Sequence, residues 1–254
     1  MNHRQFAQGG ENISHQAAIM NSLNFVGIGE VLYDVFEDGT ETLGGAPLNF
    51  AVHVHQLATG LGVGQGIIVS CINNDDRGNR VLNELGRLGM STRYLAKDPQ
   101  HPTGLVSVFM RNGEPGYQIA SESAWDYIAD QPEFAELARS CVGICFGTLA
   151  QRAPVSRATI RNFLQNAQQA IRLYDINLRR NILTGKPEYT PDIIEYSCQQ
   201  ATVIKANQAE LFSVLELLGM GHPAGEDPDT IQRALELLLS RFPAQMGVVT
   251  RGAR

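Results

Sequence analysis

The stretch GIIVSCINNDDRGNRVLNELGRLGM (66–90) decides the fold class. Its first seven residues are a continuous apolar run, the pattern of a strand buried on both faces. After a short polar turn, apolar residues recur at helical spacing: Val81, Leu82, Leu85 and Leu88. Gly89 then stands where a helix C-cap takes a left-handed residue. A buried strand followed by an amphipathic helix is the unit of a parallel sheet covered by helices.

The unit recurs in both directions along the chain. FVGIGEVLYDVF (25–36) reads as a strand that runs into a turn at Glu37-Asp38-Gly39. CVGICF (141–146), IRLYDIN (171–177), ATVIKAN (201–207) and MGVVT (246–250) read as further strands, each separated from the next by one or two helical stretches. GLVSVFM (104–110) and GYQIA (116–120) flank the turn RNGEP and read as a hairpin. GHPAGEDPD (221–229) is a surface loop rather than a domain linker. The expectation is a single α/β domain with a few antiparallel strands inserted early.

Composition narrows the function. Hydrophobic residues make up 43% of the 254 and charged residues 18%, ordinary values for a globular protein. A net charge of −6 argues against a nucleic-acid surface. No apolar run approaches the roughly 20 residues that span a bilayer. Residues 1–23 are polar, lack the apolar core of a secretory signal, and read as a flexible extension. Cys71, Cys141, Cys145 and Cys198 show no CxxC spacing, which disfavours a metal site and fits a reduced, cytoplasmic compartment. His53 and His55 lie two positions apart, about 200° around a helix, so they do not form a metal pair.

In parallel sheets ligands bind beyond the carboxyl ends of the strands. GIGEVL (27–32) begins like a dinucleotide fingerprint, but Leu32 stands at its third glycine position. Gly185-Lys186 is followed by Pro187, and Arg180 stands where a P-loop needs its first glycine. A nicotinamide enzyme is therefore disfavoured. LGGAPLNFAVHVHQLA (43–58) carries more information. Gly44 and Gly45 allow close approach of a ligand to the backbone, and Pro47 suits a first helical turn. Asn49 can both donate to and accept from a hydroxyl, and Asp34 can accept two hydroxyl hydrogen bonds. A polyol needs those capacities. The same residues fit equally well a tight turn into a buried helix.

GEVLYDVF followed by LGGAPLNFAVHVHQLA resembles the N-terminal signature of the ribokinase-like (PfkB) carbohydrate kinases, in particular their fructokinase-like branch. NNDDRGNRVLNELGRLGMSTRYL, PTGLVSVFMRNGEPGYQIA, AWDYI, ICFGTLAQR, YDINLR, IKANQAEL and VVTRG resemble later blocks of that family in order. The resemblance covers residues 24–254 and implies a three-layer α/β/α fold with a mostly parallel sheet. It also implies a small β-lid drawn from about 31–43 and 104–121.

By resemblance, the activity is transfer of the γ-phosphoryl group of ATP to a hydroxyl of a small sugar, fructose being favoured, with Mg²⁺. Asp34, Gly44, Gly45, Asn49 and Asn177 match sugar-binding positions, Asp126 more loosely. Arg179 matches a phosphoryl contact. Asn207, Glu210, Thr250 and Gly252 match nucleotide-side positions, with Glu210 serving Mg²⁺ through water. Residue types alone leave other readings open: Asn207 as a helix cap, Glu210 as a solvated helix residue, Arg179 and Arg180 as a solvated pair. The resemblance also admits a homodimer through the lid.

In the family, a Gly-Ala-Gly-Asp motif after the Thr-x-Gly turn supplies the general base and an anion hole. This sequence holds no such run. The expectation is a kinase domain whose C-terminal part is missing, its base lying beyond Arg254, and whose activity as given is weak or absent. The alternative is a non-catalytic sugar-binding or interaction protein derived from a sugar kinase.

Overall fold

The computed structural model describes residues 23–111, 114–221 and 223–251, so the expected N-terminal extension (apart from Leu23) and Gly252 lie outside the described residues. Strands β1 (Leu23–Ile28), β4 (Gly64–Ile72), β5 (Leu95–Lys97), β8 (Gly143–Gly147), β9 (Ile171–Asp175), β10 (Val203–Asn207) and β11 (Met246–Thr250) form one sheet. Its order is β11-β10-β9-β8-β1-β4-β5, and every pairing is parallel.

Among the described residues seven α-helices connect the strands: α1 (Ala46–Gly60), α2 (Asp76–Arg87), α3 (Pro132–Ser140), α4 (Pro154–Asn166), α5 (Pro191–Gln200), α6 (Gln208–Leu217) and α7 (Pro228–Arg241). Four of them open on proline, whose missing N–H costs nothing in a first turn. Asp75 and Asp227 cap α2 and α7 by accepting from the backbone N–H groups of Gly78 and Thr230.

The continuous apolar run of β4 shows why the sheet needs helices on both faces. Ile67, Val69 and Cys71 join a core cluster with Phe146, Phe163 and Tyr174. Ile68 and Ile72 point the other way, into a second cluster with Leu48, Val81 and Leu85. Period-two alternation thus divides one strand between two cores, giving the three-layer α/β/α arrangement.

The run 25–36 departs from expectation. It breaks into β1 and β2 (Leu32–Phe36), which belong to different sheets. Gly29 makes the break: its φ is +145°, and a Cβ there would stand 2.8 Å from Pro47 Cγ at the start of α1. β2 enters a four-stranded sheet of order β3-β2-β6-β7, with β3 (Glu41–Gly44), β6 (Gly104–Arg111) and β7 (Glu114–Ile119). β2–β6 is parallel and the outer pairs are antiparallel. This small sheet, at the place expected for the lid and called so below, lines one cavity together with the carboxyl ends of main-sheet strands. At one edge of the main sheet, β11 leaves Met246 and Val248 exposed.

Candidate active site

Between the lid and the carboxyl ends of β1, β8, β9 and β10 lies a cavity of about 470 Å³. The lid contributes Asp34, Val106, Tyr117 and Ile119 to its wall, and α1 contributes Asn49, Phe50 and His53. Asn49 and His53 are four positions apart and share one helix face.

The turn before α1 is built around glycine. Gly45 has φ +117°, and a Cβ on it would lie 2.3 Å from the carbonyl oxygen of Glu30. Only glycine lets β3 fold back against the β1–β2 turn there. A Cβ on Gly44 would meet Asp34 Oδ2 at 2.8 Å, so Gly44 makes room for that carboxylate. Burial raises the Asp34 carboxyl above its ordinary value, and the Arg179 guanidinium partly offsets this.

Beyond β9 the chain bends sharply. Asn177 adopts φ +41°, a left-handed conformation that asparagine tolerates better than most residues, and lines the cavity. Two residues later Arg179 reaches the cavity and stands 4.9 Å over the Tyr117 ring. Asp175, at the end of β9, accepts from Lys205 Nζ at 2.9 Å.

A second, more open cleft of about 830 Å³ adjoins the first and shares Tyr117 and Arg179 with it. Asn207 and Glu210 line this side. They form a reciprocal cap on α6: Asn207 Oδ1 accepts from the Glu210 N–H at 2.8 Å, and Glu210 Oε2 accepts from the Asn207 N–H at 2.8 Å. The cap reading of Asn207 therefore holds, and the cap itself places both side chains on the cleft. Glu210 is 8% exposed, not a solvated helix residue.

Asp34, Gly45, Asn49, Asn177 and Arg179 thus share one cavity, with Gly44 behind Asp34. Thr250 is exposed at the end of β11, in register with Asn207. Asp126 is placed elsewhere. Buried at 3% exposure, it accepts from Arg152 Nε at 2.9 Å and Nη2 at 2.7 Å, and lines no part of the 470 Å³ cavity. Arg152 also donates to Glu188 and to the Ala120 carbonyl and lies 4.3 Å over the Trp125 ring. This ion-pair network joins the end of the lid to the loop that carries Arg179.

Sequence reasoning missed several cavity residues: Glu30, Phe50, His53, Asp175 and Lys205. Glu30 and Asp175 each stand at a strand end beside a residue that was singled out, and that position was the available signal. His53 faces the cavity, whereas His55 is a core residue whose Nε2 donates to the Leu88 carbonyl at 3.1 Å. Among the described residues no group of three or more His, Cys, Asp or Glu could hold a metal ion. The four cysteines are free and buried. Burial pushes the Cys71 and Cys198 thiols up to about 12 and Cys141 up to about 11. No described helix is long and apolar enough to cross a membrane.

The model of the pfkB family carbohydrate kinases matches residues 18–254, and the chain belongs to that family. A Pyrococcus horikoshii protein described as an uncharacterized sugar kinase, PH1459, is 25% identical over 195 residues, 72% of this chain. The chain spans 61% of that relative's length. Among solved structures, the Xylella fastidiosa fructokinase with bound ATP superposes with a TM-score of 0.71 at 19% identity, covering 93% of this chain and 70% of that one. The Halothermothrix orenii fructokinase gives 0.71 at 20% identity, covering 91% and 80%. These likenesses establish the ribokinase-like fold.

Proposed function

We propose that this chain carries the acceptor and nucleotide sides of an ATP-dependent sugar kinase, with fructose as the favoured acceptor. One observation carries the reading: two adjoining cavities, one lined with hydroxyl-binding groups, meet at Arg179. Phosphoryl transfer needs acceptor and donor held in line with their charge neutralised, and little else from the protein.

In this reading Asp34 accepts from two sugar hydroxyls, and Asn49 both donates to and accepts from the sugar. The lid excludes water. Arg179, at the junction, offers a planar fork of donors to the phosphoryl oxygens between the two sides. Asn207, Glu210, Thr250 and Gly252 serve the nucleotide. Mg²⁺ prefers one or two carboxylates together with water and phosphate oxygens rather than an all-protein cage. The single buried carboxylate of Glu210 on the cleft suits such water-bridged holding. There the ion would neutralise phosphate charge.

None of the described residues is assigned as the base that takes the acceptor proton. Among the fold's neighbours, PH1459 and the Xylella fastidiosa fructokinase have structures with bound ATP, which supports ATP as donor. The fructokinases among the neighbours favour fructose over other small sugars, though at identities of 19% and 20%. Homodimerisation through the lid and a reduced, cytoplasmic location complete the proposal, the latter supported by four buried free thiols.

The test is ADP release from MgATP with and without fructose, for the 254-residue chain and Asp34→Ala. Sugar-dependent release that Asp34→Ala abolishes supports a kinase. Fructose binding with neither ATP binding nor release selects the non-catalytic sugar-binding reading instead.

A further inference from the structure

Glu30 is 2% exposed, sits in the turn between β1 and β2, and lines the cavity assigned above to the sugar. Its Oε1 accepts from the Ala46 N–H, at the first residue of α1, at 3.3 Å. Its Oε2 is fully buried and has no partner among the described residues. A buried oxygen left unmatched is costly unless something else supplies the partner.

The charged groups around it do not supply one. Lys205 on β10 is taken by Asp175 at the end of β9, its Nζ 2.9 Å from Asp175 Oδ1. Arg179 follows β9 and is held over Tyr117, where it also offsets the charge of Asp34 on β2. His53 faces the cavity from α1, and burial keeps the Cys145 thiol on β8 in its neutral form. An ionised Glu30 would be a third carboxylate among two committed cations, at a position nearly out of reach of water. Burial accordingly pushes its carboxyl up to about 7, against the opposing hydrogen bonds and Arg179.

We infer that Glu30 is a sugar-binding group of the acceptor site, its neutral carboxyl donating the Oε2 hydroxyl to an oxygen of the bound sugar. The inference rests on the sugar-kinase reading and adds to it a residue and a proton. A neutral sugar filling the cavity removes the remaining water from Glu30 and favours the protonated form further. Sugar binding therefore takes up a proton near neutral pH, and by linkage the affinity falls as pH rises. If only the neutral form binds, the dissociation constant rises about ten-fold between pH 6 and pH 8.

The experiment is calorimetric titration of the 254-residue chain with fructose, and with ribose as a second probe, at pH 6 and pH 8. Each titration is run in two buffers of different ionisation enthalpy so that protons taken up are counted. Expected are the ten-fold weakening, proton uptake at pH 7, and loss of both in Glu30→Gln, whose amide is a fixed neutral donor. His53→Gln removes the cavity's histidine and should keep the pH dependence. Affinity unchanged from pH 6 to pH 8, or a pH dependence that survives in Glu30→Gln, overturns the inference while leaving the sugar site intact. Should Glu30→Gln fail to fold, the proton count in wild type and His53→Gln decides: uptake supports the inference and its absence overturns it. If the folded wild-type chain binds neither sugar at either pH, the sugar-site reading fails and takes this inference with it.

Discussion

Arg179 and Tyr117 come from separate parts of the fold, and the guanidinium of one lies 4.9 Å over the ring of the other. Tyr117 belongs to lid strand β7 and Arg179 to the loop after β9. The same junction is tied by the backbone, where the Ile182 N–H donates to the Tyr117 carbonyl at 3.0 Å. Gly116 leaves room beside it, since a Cβ there would fall 1.7 Å from Ile182 Cδ1. The lid is therefore fastened to the body at the point where the two cavities meet.

Loosening that fastening should affect both ligands. A cation–π contact is worth about 0.5–2 kcal/mol. Tyr117→Ala should weaken fructose and ATP binding together, by roughly 3- to 30-fold, whereas Tyr117→Phe should stay near wild type. Titration calorimetry with each ligand measures both, and an effect confined to one ligand would separate the cavities.

Asp34 should act on the sugar alone. Hydrogen bonds to a charged group contribute about 1.5–3 kcal/mol, so Asp34→Ala should weaken fructose binding roughly 10- to 100-fold. ATP affinity, measured by the same titration, should change little.

The network of Arg152 makes a prediction about stability. Arg152, Asp126 and Glu188 are 12%, 4% and 19% exposed at their side chains. Removing the cation leaves two carboxylates in a poorly solvated place, which costs about 3–5 kcal/mol for a buried pair. Arg152→Ala should lower the urea midpoint accordingly. A midpoint near wild type would mean that water reaches Asp126 after all.

The fold was legible because its signal is periodic. β4 and α2 announce themselves by continuous and helical-period apolar runs, and no competing pattern fits 66–90. The break between β1 and β2 was not legible: it depends on Pro47 pressing against Gly29, a contact between segments 18 residues apart in sequence. The site divided in the same way. Asp34 and Asn49 could be named from residue types, one at a strand end and the other in a first helical turn, and Arg179 only through the resemblance. Asp126 matched its block by order, but a partner 26 positions away, Arg152, decides its role. Glu30 passed unnoticed because a glutamate in a strand-like run carries no sign of whether it is buried.

Burial of Glu30 also links stability to pH. Its folded value, about 7, lies above the ordinary 4.5. Between those values the folded chain holds a proton that the unfolded chain has released. Stability from this group is therefore complete below about pH 4.5 and falls as pH rises towards 7, by at most about 1.4 kcal/mol per unit. Thermal unfolding between pH 5 and pH 7 should show a downward component that Glu30→Gln removes. An identical slope in the variant would assign it to other groups.

Gly45 should tolerate no side chain. Its φ of +117° and the 2.3 Å approach to the Glu30 carbonyl oxygen both exclude a Cβ. Gly45→Ala should cost about 1–3 kcal/mol of backbone strain or displace the start of α1. Either outcome should weaken fructose binding through Asn49. A variant with wild-type melting temperature and sugar affinity would contradict the geometry of this turn.

The most direct test is calorimetric titration of the 254-residue chain with fructose at pH 6, followed by MgATP. The account predicts one fructose per chain, lost or weakened at least ten-fold in Asp34→Ala, and a separate ATP site that Asp34→Ala leaves in place. No heat from fructose or ribose with a chain shown to be folded would contradict it.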